Sequence, residues 1–418
     1  PALLGLAAIM QVVDPSRVWS LLLLGLGGAW LLSYLWVHSL ARNLFLRREM
    51  RFEWAQVGDQ MEERFTLENT GSLPALWVEV NDHSNLPGYH VSQVSDVGAN
   101  GQRRWVTRGT CERRGLFTLG PTSLTTADPF GLYELSIFYP ASASILVMPP
   151  VVPLPAIEVA PGGRSGEGRP RPDAPERIVS AAGVREFIPG DSLRHIHWGT
   201  TARKGTPFIR LFEGTPAGDW WICLDLQDAV QAGVGWDSTV EHGIVLAASL
   251  ADRGLRLGRA IGLASNCEPV IWLPPQHSDV QRNHMLRALA LAEPGPFSLA
   301  EMLVRNKASF GQRSSLVIIT ANHTASWLDA VLTLTRKDIT PTIMMLDPHS
   351  FGGQKADPGL LNLLAAWGIA AYMIPRSLLD RPEARPGTQG RWEWRVSATG
   401  RALPVRHPSG TDWRVISG

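Results

Sequence analysis

The residues best suited to chemistry lie close together between Gly183 and Glu213, in the run GVREFIPGDSLRHIHWGTTARKGTPFIRLFE. Arg185, Arg194, Arg203 and Arg210, with Lys204, outnumber Glu186, Asp191 and Glu213. A guanidinium offers a planar fork of donors that fits a carboxylate or phosphate, so the surplus cations suit an anion or an acidic protein surface. The same fork can instead lock Asp191 to an arginine and organise the segment without any ligand. Pro189-Gly190-Asp191 reads as a tight turn leading into a strand over Leu193–Trp198. His195 and His197 share one face of that strand, a metal-compatible spacing without a third ligand nearby. His197 could serve as acid or base at an anion site with Asp191, Arg194 and Arg203, yet no paired nucleophile or second catalytic carboxylate stands at an interpretable spacing.

The elements that must position this run differ sharply along the 418 residues, a length that accommodates a membrane segment and two domains. Val18–Val37 carries no charge and matches the roughly 20 residues a helix needs to cross a bilayer. Leu3–Val13 is also apolar, and Asp14-Pro15-Ser16-Arg17 breaks the two, so a two-helix hairpin with a truncated first arm is expected over residues 1–40. Arg42, Arg47, Arg48 and Arg51 follow the span against the single acid Glu49, and the positive-inside rule then places the body in the cytoplasm. These arginines are read as a basic collar able to hold anionic lipid headgroups.

Over residues 41–148, short alternating stretches between turn residues predict a β-sandwich-like domain. Its turns include Asn69-Thr70-Gly71-Ser72 and Asp128-Pro129-Phe130-Gly131, with Asp128 capping and Gly131 at positive φ. Residues 149–177 are rich in Pro, Gly and Arg and read as an extended linker, and 178–214 hold the run described above. From 215 to 380, apolar strands alternate with amphipathic helices, which predicts an α/β domain with a mostly parallel sheet and ligand positions at the carboxyl ends of its strands. Residues 381–418 read as a tail. The net charge of +1 gives no global argument for nucleic acid, and the three cysteines form no CxxC pair, so they read as reduced thiols.

The Gly183–Glu213 run resembles the signature of the domain of unknown function 58 family, a pattern of the type R-E-Y-x-P-G-D-x-x-R-x-I-x-W-K-x-S-A-R. Arg185, Glu186, Phe187, Pro189, Gly190, Asp191, Arg194, Ile196, Trp198, Ala202 and Arg203 carry the match. Phe187, Gly199 and Thr201 stand where the pattern has Tyr, Lys and Ser, and the absent lysine removes one cation from any site after Trp198. The resemblance extends to the apolar N-terminal hairpin and to the RRG…DPFGL segment. It implies a von Willebrand factor type A-like C-terminal domain, partners of the MoxR-type AAA ATPase class and a role in envelope or complex assembly.

A metal-binding domain of that type carries D-x-S-x-S after its first strand. Here Asp225 is followed by Gln227 and Ala229, and Thr320-Ala321-Asn322 offers no later aspartate, so a degenerate site and no bound divalent cation are expected. The resulting expectation is a membrane-anchored protein-binding adaptor, not an enzyme. The alternative is an enzyme or anion-binding protein using Arg185, Glu186, Pro189, Gly190, Asp191, Arg194, His197, Trp198 and Arg203.

Overall fold

The structure, a computed structural model, describes residues 2–51, 53–154, 157–161, 181–186, 198–212, 219–311, 314–354, 359–378, 393–396, 402–406 and 414–417. It divides into two compact units, one formed by Pro1–Met148 with Gly387–Gly418 and the other by Pro149–Pro386.

The first unit opens with α1 (Ala2–Val13) and α2 (Arg17–Asn43). Only α2, among the described residues, is long and apolar enough to cross a membrane. It runs beyond the expected span to Asn43, and the β unit packs against its C-terminal part, within the span as well as past it. Ser33 and Leu40 are fully buried, and the Trp36 indole Nε1 donates to Pro74 O at 3.1 Å.

The strands that follow are β1 (Leu44–Met50), β2 (Trp54–Gln56), β3 (Gln60–Asn69), β4 (Ala75–Asp82), β5 (Gln93–Val97), β6 (Gly101–Thr110), β7 (Gly115–Leu119), β8 (Thr122–Ala127), β9 (Glu134–Tyr139) and β10 (Ala143–Met148). They form three sheets: β1-β3-β6, β2-β10-β7 and β5-β4-β8-β9. A last strand, Arg414–Ser417, pairs antiparallel with β1, so part of the expected tail belongs to this unit. All three sheets send side chains into one buried cluster, including Leu46, Phe65, Val80, Leu124 and Ile145. The Asn69–Ser72 turn closes as expected, with Gly71 N donating to Asn69 Oδ1 at 3.0 Å.

β1 corrects the reading of the basic collar. Its side chains alternate, so Leu44, Leu46, Arg48 and Met50 all point inward. Arg48 is therefore fully buried and cannot meet a lipid headgroup, and the charge asymmetry behind the orientation argument loses one of its members. Arg47 and Arg51 are drawn to Glu49 and Glu62.

The second unit begins with a surprise for the expected linker. Residues 149–154 and 157–161 have no regular structure but lie against the α/β body. Val152 packs on Val245 and donates its backbone N–H to Ser249 Oγ at 3.0 Å. Ala160 is fixed twice, by Thr342 Oγ1 at 3.0 Å and Ser315 Oγ at 2.8 Å. A segment too rich in proline for a core of its own is ordered by a neighbouring one.

Next come the hairpin β11 (Ala181–Glu186) and β12 (Phe208–Phe212), with α3 (Trp198–Lys204) between them. The main sheet contains β13 (Trp220–Leu224), β14 (Ile261–Ser265), β15 (Ile271–Gln276), β16 (Ser315–Thr320), β17 (Thr340–Leu346) and β18 (Ala370–Ile374), in the order β15-β14-β13-β16-β17-β18. All neighbours run parallel except β15 on β14. β15 carries Pro274 and Pro275, which an edge position tolerates and a central one does not. The helices are α4 (Thr239–Arg256), α5 (Asp279–Ala290), α6 (Leu299–Asn306), α7 (Leu328–Thr335) and α8 (Gly359–Ala366).

Leu299 and Leu303 of α6, Val331 of α7 and Leu364 of α8 share one cluster with Cys223, Ile318 and Ile343 of the sheet. On the opposite face, Gly243 of α4 sits against Leu224, Ile319 and Leu346. With both faces covered, β13 and β16 are buried along their whole length, which explains why they read as unbroken apolar runs.

Candidate functional site

The chain leaves β13 towards β14 on one side and later returns to β16 on the other, so the carboxyl end of β13 is the point where the sheet order reverses. Open α/β sheets form ligand crevices at such points. Asp225 stands there, 1% exposed. Its Oδ2 accepts from Thr320 Oγ1 at 2.6 Å, and its Oδ1 accepts from Asn266 Nδ2 at 2.8 Å and Gln227 N at 3.2 Å. These donors come from the ends of β16 and β14 and from the loop after β13, so the carboxylate ties together three adjacent strands.

The supporting shell is equally committed. Asn266 Oδ1 accepts from Leu226 N at 2.7 Å, and Asn266 Nδ2 also donates to Phe297 O at 2.7 Å. Thr320 Oγ1 accepts from Asn322 N at 2.9 Å. Burial pushes the Asp225 carboxyl pKa up, and the bonds from Thr320, Asn266 and Gln227 offset only part of that. A hard cation demands several free oxygen ligands. Here both carboxylate oxygens and the Asn266 carbonyl oxygen already accept from protein donors. Among the described residues no group of three or more His, Cys, Asp or Glu is placed to hold a metal ion.

The loop that follows Asp225 exposes apolar side chains. A short hairpin, Gly233–Val234 paired with Asp237–Ser238, lifts Val234 to 89% and Trp236 to 37% exposure. Asp237 is held by Arg376 at 3.0 Å, and Ser238 caps α4 by accepting from Glu241 N at 3.3 Å.

The signature residues are placed only in part. Arg185 and Glu186 pair through β11 with Ile209 and Phe208 of β12. Trp198 and Arg203 lie on α3, where Trp198 is exposed and the Arg203 Nε donates to Gly199 O at 3.1 Å. Trp198 thus opens a helix where a strand was expected to end, and the α3 hydroxyl of Thr201 accepts from Phe208 N to brace the next strand. Pro189, Gly190, Asp191, Arg194, His195 and His197 fall outside the described residues.

Sequence reasoning missed a second polar centre, in the first unit. Arg48 Nε and Nη2 fork onto the Glu63 carboxylate at 2.8 and 2.7 Å, and Nη1 reaches Asp82 Oδ1 at 2.6 Å and Thr122 Oγ1 at 2.9 Å. The Tyr89 hydroxyl donates to Glu63, and the guanidinium lies 5.1 Å from the Phe65 ring centroid. Burial alone would lower the Arg48 pKa, but bonding and attraction to Glu63 and Asp82 outweigh it and raise it. Burial beside Glu63 also raises the Tyr89 pKa. The available signal was the inward alternation of Leu44, Leu46, Arg48 and Met50. The geometry around Arg48 is that of a structural clasp between strands.

Residues 183–350, a stretch shorter than half the chain, match the family model described as Protein of unknown function DUF58. A curated relative, the uncharacterized protein YeaD of Bacillus subtilis, is 24% identical over 263 residues, covering 60% of this chain. The chain spans 63% of that relative's length. Among solved structures, the proximal thread matrix protein 1 of the mussel byssus aligns with 12% identity over 40% of this chain and 46% of that one, at a TM-score of 0.29. A CARDB domain from Pyrococcus furiosus aligns with 15% identity over 25% of this chain and 94% of that one, at 0.20.

Proposed function

We propose that this chain is a membrane-tethered, non-enzymatic adaptor whose α/β unit binds other proteins. In this reading α1 and α2 form a two-helix anchor with the body in the cytoplasm. The β unit is a sandwich-like spacer, and the α/β unit is a von Willebrand factor type A-like head. The partner is a MoxR-type AAA ATPase, and the work is complex or envelope assembly. The observation that carries the proposal is the carboxyl end of β13. Its one buried acid is wholly occupied in tying strands together, while the loop that follows it presents Val234 and Trp236 to solvent. An exposed aromatic beside an exposed aliphatic is the kind of feature that anchors protein interfaces. The partner class is taken from the resemblance of the Gly183–Glu213 run to the domain of unknown function 58 family.

The full chain in detergent should co-purify with a MoxR-type AAA ATPase, and Val234→Asp combined with Trp236→Asp should abolish that while leaving the melting transition of the α/β unit in place. Absence of binding, or binding that ignores the double substitution, overturns the proposal.

A further inference from the structure

The turn Asp128–Tyr133 lies beside α2. Tyr133 meets Tyr34 edge-on at 6.1 Å between ring centroids. Asp128, 3% exposed, holds the turn by accepting from Phe130 N at 2.8 Å and Tyr133 N at 2.7 Å, with Gly131 at φ +65. Burial pushes the Asp128 carboxyl up, but the N–H groups of Tyr133 and Phe130, with Ser33 nearby, outweigh it and keep the carboxyl below its ordinary range. A carboxylate locked in this way points its turn outward. The two apolar side chains at the tip, Phe130 and Leu132, are 61% and 54% exposed.

Their height along α2 is what gives them meaning. Between Arg17 and Arg42 the helix has no Asp, Glu, Lys or Arg. A helix rises about 1.5 Å per residue and needs roughly 20 residues to cross a hydrocarbon core of about 30 Å. A span that begins after Arg17 therefore has not ended at Ser33 and Tyr34, which is where the turn sits. Leu31, Leu32 and Leu35 of α2 are 54%, 58% and 49% exposed around that level, so the apolar surface of the helix continues onto the turn. The neighbouring strand end adds Leu76 and Trp77, 52% and 37% exposed, and Thr126 Oγ1 bonds Trp77 O at 2.6 Å to join it to the end of β8.

We infer that Phe130 and Leu132 dip into the lipid at the edge of the bilayer, making the Asp128–Tyr133 turn a second membrane contact that fixes how the β unit stands on its anchor. The inference rests on α2 spanning the membrane. An anchor that crosses the bilayer still lets the body tilt on the membrane surface, whereas a second apolar contact restrains it. Aromatic and aliphatic residues at this depth are favoured over water by the usual transfer terms.

The test uses the full chain in nanodiscs of phosphatidylcholine and phosphatidylglycerol, with nitroxide labels at single introduced cysteines. The native Cys111, Cys223 and Cys267 are buried, which directs labelling to the new sites. Leu24→Cys reports the anchor, Phe130→Cys and Leu132→Cys independently report the turn, and Gln60→Cys, at the opposite end of β3 from α2, reports water. The expected result is that labels at 24, 130 and 132 are relaxed by oxygen and shielded from a water-soluble nickel chelate, with the reverse at 60. Lipid exposure at 24 with chelate access at 130 and 132 overturns the inference and leaves the anchor standing. Shielding of 130 and 132 from both reagents overturns it in favour of a protein neighbour. Chelate access at 24 overturns the anchor and the inference together.

Discussion

The buried carboxylates at Arg48 in the β unit and at the end of β13 in the α/β unit are held by opposite means. In the β unit, Glu63 and Asp82 are met by a cation, Arg48, and by the Tyr89 hydroxyl. In the α/β unit, Asp225 is met by neutral donors only, the Thr320 hydroxyl, the Asn266 amide and the Gln227 N–H. A buried cation makes its partner acids expensive to abandon. Neutral donors leave the acid only partly stabilised, so burial keeps its proton affinity high. The first arrangement can only hold the sheets together. The second is a strand tie that could lose its charge at modest cost.

Three measurements can break or sharpen that contrast, each read from urea unfolding of the transition belonging to the unit concerned. Arg48→Met should have the largest effect, destabilising the β unit by about 3–5 kcal/mol, because two acids remain buried without their cation. A loss below that of an ordinary surface substitution would show that the network is not energetically coupled. Tyr89→Phe removes one donor from Glu63 while Arg48 keeps its fork, and should cost about 1–3 kcal/mol. An unchanged midpoint would mean that the hydroxyl is dispensable.

Asp225→Asn should have the smallest effect, about 1 kcal/mol or less, since an amide can take over most of the same bonds. Its signature is the pH dependence. The folded pKa of Asp225 lies above the ordinary 3.8, so the folded form takes up its proton first as pH falls. The wild-type chain should therefore gain stability relative to Asp225→Asn as pH drops through the raised folded value, with the gain complete below 3.8. A flat difference, or one of the opposite slope, would show that Asp225 is not penalised by burial.

What could be read beforehand follows the same division. β13, β16 and β17 were legible because strands covered on both faces become continuous apolar runs, and α2 because a long uncharged stretch has few other uses. β15 was missed because Pro274 and Pro275 argue against a strand unless it is known to be an edge. Asp225 was found from its position after β13, but Asn266 was not, since a lone asparagine after a strand looks like any turn residue. The docking of Val152 and Ala160 was hidden because composition reports only whether a segment can fold by itself. Arg48 was misread for a related reason. Next to an apolar helix, an arginine counts towards membrane orientation, and only its partners Glu63 and Asp82, distant in sequence, reveal that it turns inward.

The pairing of β1 with Arg414–Ser417 has a consequence for how the molecule is made. One edge of β1 waits for residues that leave the ribosome almost a full chain length later, roughly 20–70 seconds at common translation speeds. The α/β unit emerges complete in that interval, while the β unit, begun first and held nearest the anchor, is finished last. An open strand edge recruits whatever strand is at hand. A newly made chain is consequently most exposed to mispairing with its neighbours until Arg414–Ser417 arrive.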